Sequence, residues 1–119
     1  MVSIDPAPYL AHWRQVERQR RDILDAAVAR ARAAVPPVVD LLVAQGATRV
    51  WLIGSLAHAR FDVNSDVDFM VSGLSEPQAF KAARMAYNLT GVTVDVIRTE
   101  DLSPDWRRYH ERSGELLYG

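Results

Sequence analysis

Apolar positions recur at helical spacing through the first third of the chain. Trp13, Val16, Ile23, Ala27, Ala31 and Ala34 are separated by threes and fours, or by their sums, which places them on one face of a helix over residues 8–34. Arg20 falls on the same stripe, and the alanine-rich second half makes the apolar face shallow. Arg14, Arg18, Arg20, Arg21, Arg30 and Arg32 outnumber Glu17, Asp22 and Asp25 here, which reads as a solvated basic face. Pro36-Pro37 is expected to end this helix and open another, because proline suits a first turn and not an interior. Residues 38–45 then read as a short buried helix stopped by Gly46.

The pattern changes after Gly46. Residues 49–54 (Arg-Val-Trp-Leu-Ile-Gly) are apolar on both faces, as a central strand would be. Residues 67–71 and 92–98 read as a second and a third strand. Between them Ser75-Glu76-Pro77-Gln78 is a capping box, and Phe80, Ala83, Arg84 and Tyr87 carry the helix to Gly91. Ser103-Pro104 opens a last helix that stops near Gly114, and Leu116, Leu117 and Tyr118 form an apolar tail expected to dock on the core. Alternating helices and strands give an α/β or α+β class around a small sheet.

Composition narrows the function. At 119 residues there is room for one domain with a core of its own. Lys plus Arg number 14 against 15 Asp plus Glu, a net charge of −1, which argues against a mainly electrostatic nucleic-acid binder. The absence of cysteine excludes disulfide scaffolds, thiolate metal sites and cysteine nucleophiles. The opening Met1-Val2-Ser3-Ile4-Asp5-Pro6 has neither a basic nor an apolar region of an export signal, and no apolar run is long enough for a membrane span. A cytoplasmic protein is expected.

Three pieces carry candidate chemistry: Gly54-Ser55 after the first strand, Ser65-Asp66-Val67-Asp68 entering the second, and Asp95 within the third. Strand side chains alternate, so Asp66 and Asp68 share a face and Val67, Phe69 and Val71 take the other. Carboxylates crowded into an apolar sheet are costly unless neutralised, and Lys81 is the chain's single lysine. Divalent cations relieve such a cluster: Mg²⁺ takes oxygen ligands from one or two carboxylates plus substrate phosphates. Three carboxylates can hold two such ions across an in-line displacement. Gly54 would admit a phosphate close to the backbone, with the Ser55 hydroxyl as a further donor. Trp13, Trp51 and Trp106 read as core or interface anchors, and His12, His58 and His110 as surface residues.

Gly54-Ser55, a ten-residue interval, Asp66-Val67-Asp68 and then Asp95 together resemble the signature of the DNA polymerase beta-like nucleotidyltransferases. At this length the chain is similar to the minimal nucleotidyltransferases, the MNT-domain proteins. The resemblance covers about residues 46–119, and 1–45 is an N-terminal helical extension to that catalytic core. It implies a small mixed sheet flanked by helices, ATP as donor and two Mg²⁺ ions. It assigns Gly54, Ser55 and Ser65 to nucleotide binding, and Asp66, Asp68 and Asp95 to the metals, with Asp95 also as base. It further implies a HEPN-domain ribonuclease toxin as partner, with AMP transferred to a tyrosine hydroxyl of that toxin. Where the family often has Ala-Arg-Gly, this chain has Ala57-His58-Ala59. Two other readings stand beside this one: an antitoxin that neutralises its partner by covering it, and a small-molecule nucleotidyltransferase.

Overall fold

The long N-terminal helix does not break. In the computed structural model, which describes residues 4–119, α1 runs over Ala7–Ala44 straight through Pro36 and Pro37. Met1-Val2-Ser3, the start of the 1–45 segment, lies outside the described residues. The expected break, with a separate helix over 38–45, is therefore corrected. The reason is visible in the burial: Ala27, Ala31, Ala34, Val38 and Leu42 follow one another at spacings of four and three across the prolines with no change of phase. Burying Val38 and Leu42 contributes about 3–6 kcal/mol, which offsets a loss of about 3 kcal/mol per interior proline. Pro36 itself faces solvent.

Only the second half of α1 is packed. From Ala7 to Ala26 every residue is exposed except Val16 and Leu24, which are half-buried. A helix of this length spans about 57 Å at 1.5 Å per residue, and the molecule measures 71 × 32 × 20 Å. The upper part of the expected stripe, Trp13 and Ile23 included, thus projects beyond the body.

Behind α1 lies a four-stranded mixed sheet of order β3-β2-β1-β4. Strand β1 (Arg49–Ile53) pairs antiparallel with β2 (Val67–Ser72) and with β4 (Glu115–Tyr118), while β2 and β3 (Val94–Arg98) run parallel. A parallel pair needs a crossover, supplied by helix α3 (Glu76–Thr90). Its capping box forms as the sequence requires: the Ser75 N–H donates to Gln78 Oε1 at 2.8 Å and the Gln78 N–H to Ser75 Oγ at 3.3 Å. Gly91 closes the helix in the left-handed conformation, φ 70°.

The face of α3 that packs is not the one marked by its large residues. Ala79, Ala82 and Ala86 are buried, whereas Phe80 and Tyr87 are exposed. Helix α1 likewise presents Ala27, Ala31 and Ala34 to the body. Small side chains on both helices let them sit close over the sheet, where Leu52, Val67, Phe69, Val71 and Val94 complete the main core. The opposite sheet face holds a smaller cluster of Trp51, Ile53 and Met70, with Ile97 and Leu102 against it. The C-terminal tail docks as an edge strand and not as an apolar plug. Leu117 packs on the main core, while Leu116 and Tyr118 stay exposed. No helix is long and apolar enough to cross a membrane among the described residues.

Candidate active site

The smaller apolar cluster and the acids share one face of the sheet. Val67 and Phe69 belong to the main core, so Asp68 between them points the opposite way, with Met70. On β3 the same alternation sends Val94 to the core and Asp95 to the Asp68 side. Asp68 and Asp95 are register partners across the parallel β2–β3 pair, on strands about 4.8 Å apart. Asp66 lies one residue before β2 in the same alternation. Alternation in the sequence puts Asp66 and Asp68 on one face, and the β2–β3 register sets Asp95 beside Asp68 on that face.

Their electrostatics agree. Asp68 is half-buried, and its pKa rises from 3.8 to about 6, first through burial and then through the negative charges of Asp95 and Asp66. Among the described residues no Arg, Lys or His lies within ion-pair distance of the three; the ion pairs present are Arg98–Asp101, Arg107–Glu111 and Arg108–Asp105. The cluster is an electronegative site with no ion-paired partner among the described residues.

Gly54 closes on Asp68 from the end of β1. It begins the one-turn helix α2 (Gly54–Ala57) with φ 75°, and a Cβ there would stand 2.2 Å from Asp68 Oδ2. Ser55 follows, half-buried, and no hydrogen bond engages its hydroxyl among the described residues. The turn is tied by the His58 N–H to Gly54 O (3.2 Å) and the Arg60 N–H to Ser55 O (2.7 Å). Arg32 reaches across from α1 to Leu56 O (3.4 Å), so this arginine is not merely part of a solvated face. Ala59 has φ 54°, the one positive φ at a non-glycine position among the described residues. The alanine thus takes up the left-handed geometry that a glycine would adopt freely.

Ser65 stands apart from the Gly54-Ser55 turn in its bonding. Its Oγ accepts the Asp62 N–H at 2.9 Å and its N–H donates to Asp62 O at 3.0 Å, which shapes the loop before Asp66. Ser65 and Asp66 also line a cavity of about 340 Å³ with Phe61, Asn64, Arg30 and Thr93. Gly54, Asp68 and Asp95 do not line it.

Among the described residues, no three His, Asp or Glu side chains stand close enough to hold a metal ion unaided. The donor set is nevertheless all oxygen and short of positive charge. That chemistry suits a hard cation sharing its coordination with a phosphate chain, and not an all-protein cage.

One residue was not legible as part of this face. His110, expected at the surface, is half-buried on helix α4 (Pro104–Ser113), and its Nδ1 has no hydrogen-bond partner among the described residues. It stacks on the exposed Trp106, with centroids 5.9 Å apart at 25°. Burial, and then the charge of His58, hold its pKa below the usual imidazole value. The following Gly114 packs against Leu52 O and the Ile53 side chain, which brings the end of α4 beside the start of the Gly54 turn. The Trp106 contact is an i,i+4 neighbour on α4, but the nearness of His58 and the burial of the ring come from the fold and leave no spacing signal.

No protein-family model matches the chain, and no curated protein sequence matches it either. Solved structures do. A minimal nucleotidyltransferase superposes with a TM-score of 0.60 at 28% identity, over 79% of this chain and 93% of that one. A toxin–antitoxin structure with AMP-PNP gives 0.62 at 21% identity, over 69% of this chain and 70% of that one. A complex of a tri-AMPylated Shewanella oneidensis HEPN toxin with its MNT antitoxin gives 0.58 at 17% identity, over 75% and 72%. The chain has the minimal nucleotidyltransferase fold, a mixed sheet flanked by helices.

Proposed function

On that fold, we propose that the chain is a Mg²⁺-dependent nucleotidyltransferase that moves AMP from ATP to a tyrosine hydroxyl of a HEPN ribonuclease toxin, and so acts as its antitoxin. Residues 46–119 form the catalytic core and 1–45 an extension. The observation that carries the reading is the in-register pair Asp68 and Asp95, with Asp66 beside them, Gly54 closed against Asp68 and none of the three acids ion-paired among the described residues. The AMP-PNP and tri-AMPylated complexes among the structural neighbours support the donor and the acceptor class.

Asp66, Asp68 and Asp95 would hold the two Mg²⁺ ions in coordination shared with the nucleotide phosphates, and the metal would neutralise the triphosphate and the charge that develops in the displacement. The Gly54 and Ser55 backbone, the Ser55 hydroxyl and Ser65 bind the nucleotide. The bare Cα of Gly54 lets the phosphate chain and the Asp68 carboxylate approach each other. The Asp95 carboxylate accepts the proton of the tyrosine Oη as that oxygen bonds to the α-phosphorus. The bond from phosphorus to the bridging oxygen breaks, and pyrophosphate leaves.

Intact-mass measurement of a co-expressed HEPN partner tests the reading. The account expects one or more additions of AMP with the unmodified chain and none with the Asp66→Asn/Asp68→Asn double variant. A partner that is inhibited yet unmodified establishes simple covering instead. A partner still modified by the double variant removes the acids from the chemistry.

A further inference from the structure

The projecting half of α1 carries an apolar stripe that, among the described residues, is largely exposed. Tyr9, Trp13, Val16, Glu17, Arg20 and Leu24 fall within about 100° of the helix circumference, in phase with the Ala27, Ala31 and Ala34 face that packs on the body. Tyr9, Leu10 and Trp13 are exposed, and the Tyr9 and Trp13 rings meet edge to face at 6.0 Å. At the foot of the projection a cavity of about 450 Å³ opens between α1 and the 60–63 loop, with Ile23, Leu24, Phe61 and Val63 in its wall. Aromatic knobs toward the tip and an apolar hole at the base lie on one surface.

We propose that a second copy of this chain covers that surface, with the two projecting helices antiparallel about a two-fold axis between residues 18 and 19. Such an interface is isologous, so each residue must suit its mate and the mate must suit it in return. The stripe meets that demand. Its two charged residues, Glu17 and Arg20, are opposite in sign, and pairing about this axis sets Glu17 of each copy against Arg20 of the other. The same register sets Trp13 against Leu24, about 16 Å along the helix from it, so each Trp13 enters the other copy's apolar hole. Tyr9 and Leu10 then reach the level of Val28 and Ala27, where the body begins. A partner bearing one sign of charge would leave either Glu17 or Arg20 unmatched under an apolar contact, which is costly. The proposal is independent of the nucleotidyl-transfer reading, since none of these residues belongs to the acid site.

Sedimentation velocity of the full chain across micromolar to millimolar concentration tests it, with circular dichroism as the check on folding. A reversible dimer is expected. Trp13→Ala, an exposed substitution, is expected to weaken it on the order of tenfold or more. Glu17→Arg alone and Arg20→Glu alone each create like-charge pairs and are expected to weaken it about tenfold. The double exchange Glu17→Arg/Arg20→Glu is expected to bring affinity back to within about threefold of the original. Three results overturn the proposal: a monomer throughout the range, a dimer indifferent to all these changes, or a double exchange no better than the singles. If the chain is monomeric and the same substitutions weaken only its complex with a HEPN protein, the surface belongs to that partner and the proposal fails.

Discussion

The missing side chain of Gly54 is what gives Asp68 its place: a Cβ on the glycine would stand 2.2 Å from the carboxylate Oδ2 and 3.1 Å from its Cγ. Gly54→Ala therefore has two costs, the left-handed φ of 75°, which an L side chain pays at about 1–2 kcal/mol, and displacement of the Asp68 side chain. Urea unfolding is expected to show a loss of about 2–3 kcal/mol, as such named mechanisms give, together with loss of transfer activity. An alanine variant of unchanged stability would contradict the close approach.

The raised pKa of Asp68 has a definite sign. A carboxyl that binds its proton more tightly folded than unfolded adds stability in full below its unfolded value of 3.8, and that stability is lost as pH rises through about 6. Metal-free protein is thus expected to become more stable on acidification from neutral pH toward about 4. Asp68→Asn should stabilise the metal-free chain at neutral pH by on the order of 1 kcal/mol, after allowance for the screening of a half-exposed group, and should flatten that dependence. Thermal melts across the range check both. His110 acts in the opposite sense: its lowered pKa adds stability above its unfolded value of 6.5 that is lost on acidification, so His110→Gln should sharpen the gain attributed to Asp68.

Ala59 is held at φ 54° in the turn that follows Ser55. Glycine relieves strain of about 1–2 kcal/mol there, against about 0.4–1 kcal/mol of added unfolded-state entropy. Ala59→Gly is expected to raise stability by about 0.5 kcal/mol, and Ala59→Val to lower it, because a β-branched side chain tolerates this region least. Denaturant midpoints of the two variants would contradict the account if they moved in the reverse order.

Pro36 is exposed within an unbroken helix. Pro36→Ala returns an N–H donor to the Arg32 carbonyl and removes the ring clash, so unfolding should show a gain of roughly 1–3 kcal/mol. A loss would mean that the proline marks a real break.

Sequence legibility followed the range of the interactions. The Ser75–Gln78 capping box, the strand that carries Asp68 and the alternation that Asp66 shares with it depend on neighbours one to four residues apart, and local pattern exposes them, whereas the pairing of Asp68 with Asp95 comes only from the β2–β3 register. The passage of α1 through Pro36-Pro37 was not legible, because packing of Val38 and Leu42 against a distant sheet overrides local propensity. The buried face of α3 was not legible either: large residues mark a face only where the partner leaves room, and here Ala79, Ala82 and Ala86 meet the core. The burial of His110 gave no signal, since His58 and the Ile53 end of β1 are brought to α4 only by the fold, and its i,i+4 neighbour Trp106 is itself exposed.

The claim at the centre is that Asp66, Asp68 and Asp95 gather a divalent cation against a nucleotide held at Gly54 and Ser55. Mn²⁺ in place of Mg²⁺, titrated into isotope-labelled protein with ATP, tests it through paramagnetic broadening of backbone amide signals. Broadening centred on Gly54, Ser55, Asp66, Asp68 and Asp95, dependent on ATP and abolished in Asp66→Asn/Asp68→Asn, is the expected result. Broadening centred elsewhere, or unchanged in the double variant, would contradict the account.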